Sequence, residues 1–439
     1  MYKSIFIYIN IVLFSAVAFA QETYTLDKAI TYAMDHSPVL NINKLKLQEA
    51  SIQVDESKLQ YVPDIYLSGD LRRNLIIPAT PVPANVFDPS ASEGELMYLK
   101  FNTKWNSSAG LNMKYDLFNP EKVNSVAKQQ HQLRIQEYDT EMSEAELKEK
   151  VALAYADCII AEEQVKLLKD DVVYFEELLD NANQLFKKEQ ISLSEKNDAN
   201  RAYNESVSKF LEAEKIAGDR KAELLYLIGK DVTSENIESL FLEEDIPSLL
   251  EKVEQKKTSK NILNDLEVLR QQEVTNLASL KVKSAQFKYA PTLSLNGYLG
   301  SNYYNNDFSL FNNNHWRGNS YIGLSVMLPI SRSLNTTKEV SRLRLQQQME
   351  TENLRDIHNK QEKERLNNLS LLQVRQKNYQ LSRDSWEMSL QNSKAVQLQY
   401  EKGYIRQSDL LNEQQKAGQY RHNFLQAAYD LFNILITMD

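Results

Sequence analysis

Residues 119–154 read NPEKVNSVAKQQHQLRIQEYDTEMSEAELKEKVALA, and this stretch decides the fold. It opens a segment, residues 121–246, that contains no proline. Residues 121–217 of this segment contain no glycine either. Proline and glycine are the residues that most strongly disfavour a helix interior. The Asn-Pro-Glu start has the form of a helix cap, and apolar residues recur at every third or fourth position to about Lys187. The pattern predicts a helix about 100 Å long, which implies an extended assembly.

A second proline-free segment runs from Ile330 to Asp439 and has a candidate helix cap at Ser331 or Ser333. Both long segments are rich in Gln, Asn, Ser, Lys and Glu. Helices this polar have narrow apolar stripes, so we expect them to contact water on at least one side. The chain therefore carries two very long helical regions, which the remaining segments join or anchor.

Composition excludes several classes of function. The 439 residues carry a net charge of −9 and no long basic block, which excludes nucleic acid as a partner. Cys158 is the one cysteine, so no intramolecular disulfide forms, and its apolar neighbours predict a small buried residue. The five histidines lack metal-ligand spacing, and no phosphate-binding loop or nucleophile motif occurs. We expect no cofactor, no metal and no enzymatic activity, and we interpret acid pairs such as Glu162–Glu163 and Glu243–Glu244 as solvated charges.

The N-terminus, MYKSIFIYINIVLFSAVAFA, has the form of a secretory signal peptide. Lys3 supplies the positive start, and an apolar run ends at a small-x-small cleavage site, Ala18-Phe19-Ala20. Cleavage is expected before Gln21. A transmembrane anchor is the alternative, but the apolar run is short for a membrane helix. No later segment reaches that length either, so we expect any membrane contact to be made by strands.

The hydrophobic period changes from helical to alternating at Pro63. Residues 25–61 have a helical period with a break at residues 36–38, whereas the segment after Pro63 alternates between apolar and polar side chains. Residues 99–117 then alternate without interruption, which predicts a strand long enough to cross an outer membrane. Four basic residues lie on the polar sides of these strands or at their ends, and are expected to face the lumen or rim of a strand barrel, with a position beyond the bilayer as the alternative for some of them: Arg72, Lys100, Lys104 and Lys114.

The same order of motifs occurs twice. YVPDIYLSG (61–69) corresponds to YAPTLSLNG (289–297), with Pro63 and Pro291 at the two strand entries, and FKKEQISLSE (186–195) aligns with YEKGYIRQSD (400–409). We therefore predict a signal peptide (1–20), a first repeat (21–228, strand pair 64–118), an irregular equatorial joint (229–260) and a second repeat (261–439, strand pair 291–330).

Four membrane-length strands cannot close a barrel, and an open sheet edge is not tolerated in lipid. The chain is therefore expected to oligomerise. Two copies would give eight strands and a filled interior, whereas three would give twelve strands and leave room for a pore. The long polar helices favour three copies, because a water-filled tube gives them a polar surface to line.

The order and spacing of these motifs resemble the TolC family of outer-membrane efflux proteins over essentially the whole mature chain. The resemblance rests on TLDKAITYAMDHSPVL (25–40), on the two strand-entry motifs and on DLFNP (116–120). It implies a mainly α-helical fold with membrane β-strands, in which a long α-helical barrel continues a shared trimeric 12-stranded β-barrel. It also implies an outer-membrane location with a periplasmic tunnel, a homotrimer in outer-membrane lipid, and docking to a periplasmic adaptor protein and an inner-membrane transporter of the RND or ABC type.

The resemblance also implies a periplasmic gate around YEKGYIRQSDLLN (400–412). Matched by position, Tyr400 falls on the gate tyrosine, Gly403 on the turn glycine and Asp409 on the first aspartate ring. The second ring position is Asn412, and Ile405 stands where the gate arginine is expected, with Arg406 one residue later. In the first repeat, Glu195 matches the acid that bonds the tyrosine, and Glu189 stands opposite Gly403, so we expect the two turns to differ in shape.

Simpler interpretations of these residues remain. Asp409 can instead cap the last helix, and Tyr400 with Glu195 can form an ordinary interhelical contact. At the level of the whole chain, the alternatives are a periplasmic adaptor and a secreted coiled-coil protein. The duplicated strand pairs disfavour the adaptor, and the lack of sustained heptads disfavours the coiled coil.

Overall fold

The computed structural model describes residues 22–256 and 262–438, so the expected signal peptide, its cleavage site and residues 257–260 of the predicted joint lie outside the described residues. The helices are α1 Leu26–His36, α2 Pro38–Leu59, α3 Ser125–Lys187, α4 Leu193–Ile228, α5 Ser234–Ser239, α6 Ile246–Lys256, α7 Ile262–Phe287, α8 Arg332–Glu401 and α9 Gln407–Thr437. The strands are β1 Glu22–Tyr24, β2 Asp64–Arg73, β3 Thr80–Pro83, β4 Leu96–Leu99, β5 Trp105–Phe118, β6 Leu240–Leu242, β7 Thr292–Asn305 and β8 Trp316–Met327.

The two long helices predicted from the proline-free segments are confirmed: α3 has 63 residues and α8 has 70. However, α3 begins at Ser125 and not at Pro120. The Asn119 side chain instead accepts a hydrogen bond of 3.0 Å from the Glu121 backbone N–H, and Asn124 has a φ of 63°. A left-handed residue cannot continue a right-handed helix, so the predicted cap forms a turn. Among the described helices, none has a stretch apolar enough to cross a membrane.

The chain divides into two compact units, each of which combines segments from both halves of the sequence. The first unit contains residues up to Lys44, Thr140–Glu267 and Asn359–Asp439; the second contains Leu45–Asp139 and Val268–His358. Helices α2, α3, α7 and α8 therefore have residues in both units. The two-fold repeat and its boundaries remain predictions.

The first unit has the larger apolar core. It is built on the middle of α3, where Val151, Tyr155, Ala156 and Cys158 have no exposed surface, and it includes residues of α1, α4, α6 and α9. The small residues let the neighbouring helices approach closely, and Cys158 is buried as predicted. β1 pairs in parallel with β6 at this core, where Tyr24 is fully buried.

Glu244 is not the solvated charge that the sequence suggested. Its carboxylate accepts hydrogen bonds from the Tyr155 hydroxyl, from Lys252 Nζ (2.9 Å) and from the Leu26 backbone N–H at the start of α1 (3.3 Å). Lys252 also lies 3.0 Å from Asp27. Burial alone would raise the pKa of Glu244, but these donors outweigh it and hold the pKa below 4.5. An acid in a linker thus joins α1 to α3 and α6.

The second unit contains an antiparallel sheet in the order β2-β5-β7-β8. β2 begins directly after Pro63, and β7 begins directly after Pro291. A smaller apolar cluster packs α7 against α8 through Val282, Ala285, Val340 and Leu343.

The single strand predicted over residues 99–117 is wrong. Its first residue, Leu99, is the last residue of β4, which pairs with β3 in a separate hairpin, and only β5 joins the large sheet. Between them the chain is held in a loop, because the Asn74 side chain donates to the Thr103 oxygen (2.8 Å) and Lys104 N–H donates to Asn306 Oδ1 (3.1 Å). Alternation of side chains continued through the loop although the strand did not.

Candidate functional site

The large sheet has one apolar face. In the register of the four strands, alternate side chains fall on the same side across β2, β5, β7 and β8. One side carries large apolar residues that are exposed in the single chain: Ile65, Leu67, Leu71, Leu111, Leu299, Ile322, Leu324 and Val326. So wide an exposed apolar surface is typical of contact with a membrane or a protein.

The opposite face of the sheet is polar. Asn112 donates to the Ser68 hydroxyl (2.6 Å), and Asn296 donates to the Ser325 hydroxyl (2.8 Å), so side chains of neighbouring strands are bonded across this face. Lys114 belongs to the same face, in register with Asp64 and Asn296. A sheet with one apolar and one polar face can separate lipid from water.

The other predicted lumen or rim charges lie near the loops. Arg72 is on the polar face near the end of β2, 3.6 Å from Asp70. Lys100 and Lys104 follow β4 and precede β5, outside the strands of the large sheet. The basic residues therefore do not form one group: two are on the sheet and two are in a loop at its end.

The α3–α4 and α8–α9 connections are copies of one turn. Glu189 and Gly403 have φ angles of 59° and 75°, and each donates its N–H to the carbonyl three residues earlier at 2.9 Å. The next residues, Gln190 and Tyr404, each donate to the carbonyl five residues earlier, also at 2.9 Å. This is the Schellman pattern that commonly ends a helix. The prediction that the two turns differ in shape is wrong, because Glu189 and Gly403 both adopt the left-handed conformation. Glycine adopts this conformation without strain, whereas a residue with a β-carbon does not.

The helices that follow the two turns also begin alike. Glu195 is the third residue of α4, and its carboxylate accepts hydrogen bonds from Ser192 N (2.8 Å) and Ser192 Oγ (2.9 Å). These bonds hold the pKa of Glu195 below its usual value. Asp409, the aligned acid, is the third residue of α9 and accepts from Arg406 N at 3.3 Å. Each acid therefore accepts from the backbone N–H of its cap residue, but only Glu195 closes a capping box, because the Ser192 hydroxyl accepts from Glu195 N–H (3.2 Å) whereas the Arg406 guanidinium has no acceptor atom.

Tyr400 and Glu195 lie near each other without sharing a hydrogen bond in the part of the chain described. Burial first, and then the negative charge of Glu195, raises the pKa of the Tyr400 phenol. The Glu195 carboxylate is occupied by Ser192. Asn412 and Asp409 are both exposed in the single chain.

Gln407 links the two turns, and sequence reasoning missed it. Its side chain is only 5% exposed, and its Nε2 donates to the backbone oxygen of Glu195 at 2.9 Å. Its Oε1 is buried and has no hydrogen-bond partner in the described chain. The sequence signal was slight: a polar residue at the start of α9, next to the serine and aspartate that drew the assignment of a cap.

Comparison with known proteins finds a match to one family over part of the chain and a shared fold over most of it. The model of the outer membrane efflux protein family matches residues 29–230. No curated protein sequence matches the chain. Among solved structures, the fold is similar to that of the outer membrane protein VceC from Vibrio cholerae (14% identity, 94% of each chain covered, TM-score 0.72).

Two further solved channels share the fold. The Campylobacter jejuni CmeC outer membrane channel is 16% identical, with 94% of this chain and 84% of that chain covered and a TM-score of 0.71. The Neisseria gonorrhoeae MtrE outer membrane channel, solved in its open state, is 16% identical, with 94% and 88% covered and a TM-score of 0.70. The family model covers 202 of the 439 residues, and the fold shared with the solved channels extends over 94% of the chain; both agree with the resemblance to the TolC family.

Proposed function

We propose that three copies of this chain form the outer-membrane exit duct of a tripartite efflux or secretion system. The duct passively conducts substrates that a periplasmic adaptor protein and an inner-membrane transporter, of the RND or ABC type, deliver to it. The family is one of outer-membrane channel proteins. The trimer, the adaptor and the transporter go beyond what the family match describes, and they are proposed for this chain.

The observation that carries the proposal is the two-faced sheet. Its apolar face suits lipid and its polar face suits a water-filled lumen. Within the described residues, β2 and β8 each lack a strand partner on their outer edge. Pairing β2 of one copy with β8 of the next removes both edges, and three copies then give twelve strands.

Disulfide cross-linking between edge strands tests the trimer. Tyr66→Cys on β2 is combined, in turn, with Asn319→Cys, Tyr321→Cys or Gly323→Cys on the same face of β8. The native Cys158 is buried and does not interfere. We expect at least one pair to give, in oxidised outer membranes, a covalent ladder that ends at the trimer.

Asn302→Cys on the interior strand β7 is the matched control partner for Tyr66→Cys, because both edges of β7 are already paired within one chain. It should give no ladder. A ladder that ends at the dimer, or the absence of a ladder from all three edge pairs, would contradict the trimer.

A further inference from the structure

We infer that Gly110 and Gly300 form a recess that holds the Tyr298 ring flat against the polar face of the sheet, and that this recess sets the free width of the channel for bulky solutes. The inference rests on the proposed function, because it requires the polar face to line the channel. It assigns a role in passage to three residues of the wall that lie outside residues 400–412, where the resemblance to the TolC family implies a gate (the proposed gate).

The recess exists because both strands have a glycine where the ring lies. A β-carbon at position 110 would be 2.7 Å from the ring carbons Cε2 and Cζ of Tyr298, and 2.8 Å from its hydroxyl oxygen. A β-carbon at position 300 would be 2.6 Å from that hydroxyl oxygen and would also clash with the backbone of β5. Neither glycine has a positive φ, so no turn conformation requires them. The nearest atoms to a β-carbon at Gly110 all belong to the Tyr298 ring.

No hydrogen bond fixes the ring in this position. The Tyr298 hydroxyl is buried, and within the described chain it has no hydrogen-bond partner. The ring stacks on Tyr321, its cross-strand neighbour on β8, with 5.9 Å between centroids and 24° between planes. Stacking and the glycine recess are therefore the contacts that keep the ring against the wall.

Adding a methyl group at position 110 would displace the ring. Cβ contacts under 3.0 Å are not found in real structures, and the backbone of a strand paired on both sides cannot withdraw. Aromatic side chains on a strand otherwise stand roughly perpendicular to the sheet. On this face that direction leads into the proposed lumen. In a trimer, three rings would rise at one level and narrow the passage there.

Thiol labelling measures the passage at this level. Lys114→Cys supplies the reporter: Lys114 is exposed on the polar face, one row farther from the loop end of the sheet than Tyr298. Reagents added outside intact cells enter from the loop end and must pass the Tyr298 level. The reporter is labelled with a small methanethiosulfonate and, separately, with a polymer-linked maleimide.

We expect Gly110→Ala to slow labelling by the bulky reagent several-fold and to leave the small reagent unaffected. Tyr298→Ala in the same chain should restore the bulky rate. Gly323→Ala is the matched control, because a β-carbon there meets no atom within 4 Å on the same face; it should change neither rate. Assembled trimer on a gel confirms that each variant has folded.

Tyr298→Ala alone gives a second test that does not depend on the folding of Gly110→Ala. A ring that already lies flat obstructs little, so its removal should leave both rates unchanged. A faster bulky rate would show that the ring projects into the passage, and equal rates in Gly110→Ala and the parent would show that it does not move; either result overturns the inference. If the small reagent fails to label Lys114→Cys in every variant, the polar face does not line a lumen and the proposed function itself fails.

Discussion

Gln407 at the start of α9 donates a hydrogen bond of 2.9 Å to the backbone oxygen of Glu195 in the first turn of α4. The bond joins the two helix turns at the level of the proposed gate. It connects residues 212 positions apart, and its donor side chain is buried. The aligned residue of the first repeat, Leu193, is 58% exposed, so this link has no counterpart in the other direction.

We predict that Gln407→Ala loosens the proposed gate. Loss of a buried hydrogen bond costs about 1 kcal/mol, and water would enter the space left by the side chain. Resting single-channel conductance should therefore rise. Gln419→Ala is the control, because this exposed glutamine of the same helix donates to Asn423, four residues away, and has no hydrogen bond to the α3–α4 turn among the described residues. Unchanged resting conductance in Gln407→Ala would mean that the link does not hold the channel closed.

In the two turns, removing a glycine and adding one should have opposite effects on the free energy of unfolding. Gly403→Ala should lower the free energy of unfolding by about 1 kcal/mol, because its φ of 75° disfavours a residue with a β-carbon. Glu189→Gly should raise it by up to about 1 kcal/mol for the same reason. Gly218→Ala, in the interior of α4, should also be stabilising, by about 1 kcal/mol. Urea unfolding of the detergent-extracted protein measures all three. A Gly403→Ala protein as stable as Gly218→Ala would show that the left-handed turn is absent in solution.

Glu244 predicts a pH-dependent contribution to stability. Its pKa is lowered in the folded protein from 4.5, so the stabilisation is complete above that pH and is lost as the pH falls through the folded pKa. Glu244→Gln should lower the free energy of unfolding at pH 7 by about 2 kcal/mol, because three donors lose a charged acceptor while Lys252 keeps its ion pair with Asp27. At pH 3.5 the difference from the parent should be smaller. Glu243→Gln, at the exposed neighbouring position, is the control and should have little effect at either pH. A Glu244→Gln penalty that does not change with pH would refute the charge argument.

Asp409 predicts cation block of the channel. In a closed trimer, three Asp409 carboxylates about 7 Å apart would repel by roughly 2 kcal/mol per pair at an effective dielectric constant near 20, which favours binding of a cation. Because Asp409 also caps α9, Asp409→Asn is the informative change: it keeps an oxygen for the Arg406 N–H and removes the charge. Divalent and trivalent cations should then no longer block the channel. Asn412→Ala should leave the block nearly unchanged, and block of Asp409→Asn at wild-type concentrations would make Asp409 a helix cap and nothing more.

Patterns that repeat locally were sufficient to predict much of the fold. The absence of proline predicted α3 and α8, and the helix break at residues 36–38 is present. Pro63 and Pro291 stand where the period changes, and β2 and β7 start there. The alignment of residues 186–195 with 400–409 identified the two turns that share one hydrogen-bond pattern.

Strand pairing and the environment of Glu244 depend on long-range contacts, which the sequence did not reveal. Alternation in residues 99–117 does not reveal which partner strand each part pairs with, so the loop before β5 was missed. Glu244 looked like a solvated acid because its donors, Tyr155 and Leu26, are far away in the chain.

By itself, the sequence determined the period of each segment, the helix breaks and the duplicated turns, because these depend on residues within a few positions of one another. Only the tertiary structure decided that Gln407 reaches Glu195, that Glu244 is the centre of a partly buried network and that Tyr298 lies over Gly110. The bonds of Glu244 to Tyr155 and Leu26 join residues 89 and 218 positions apart, and the bond of Gln407 to Glu195 joins residues 212 positions apart. Their energy comes from burial and from donors supplied by other elements, and a pattern read along one segment carries no record of either.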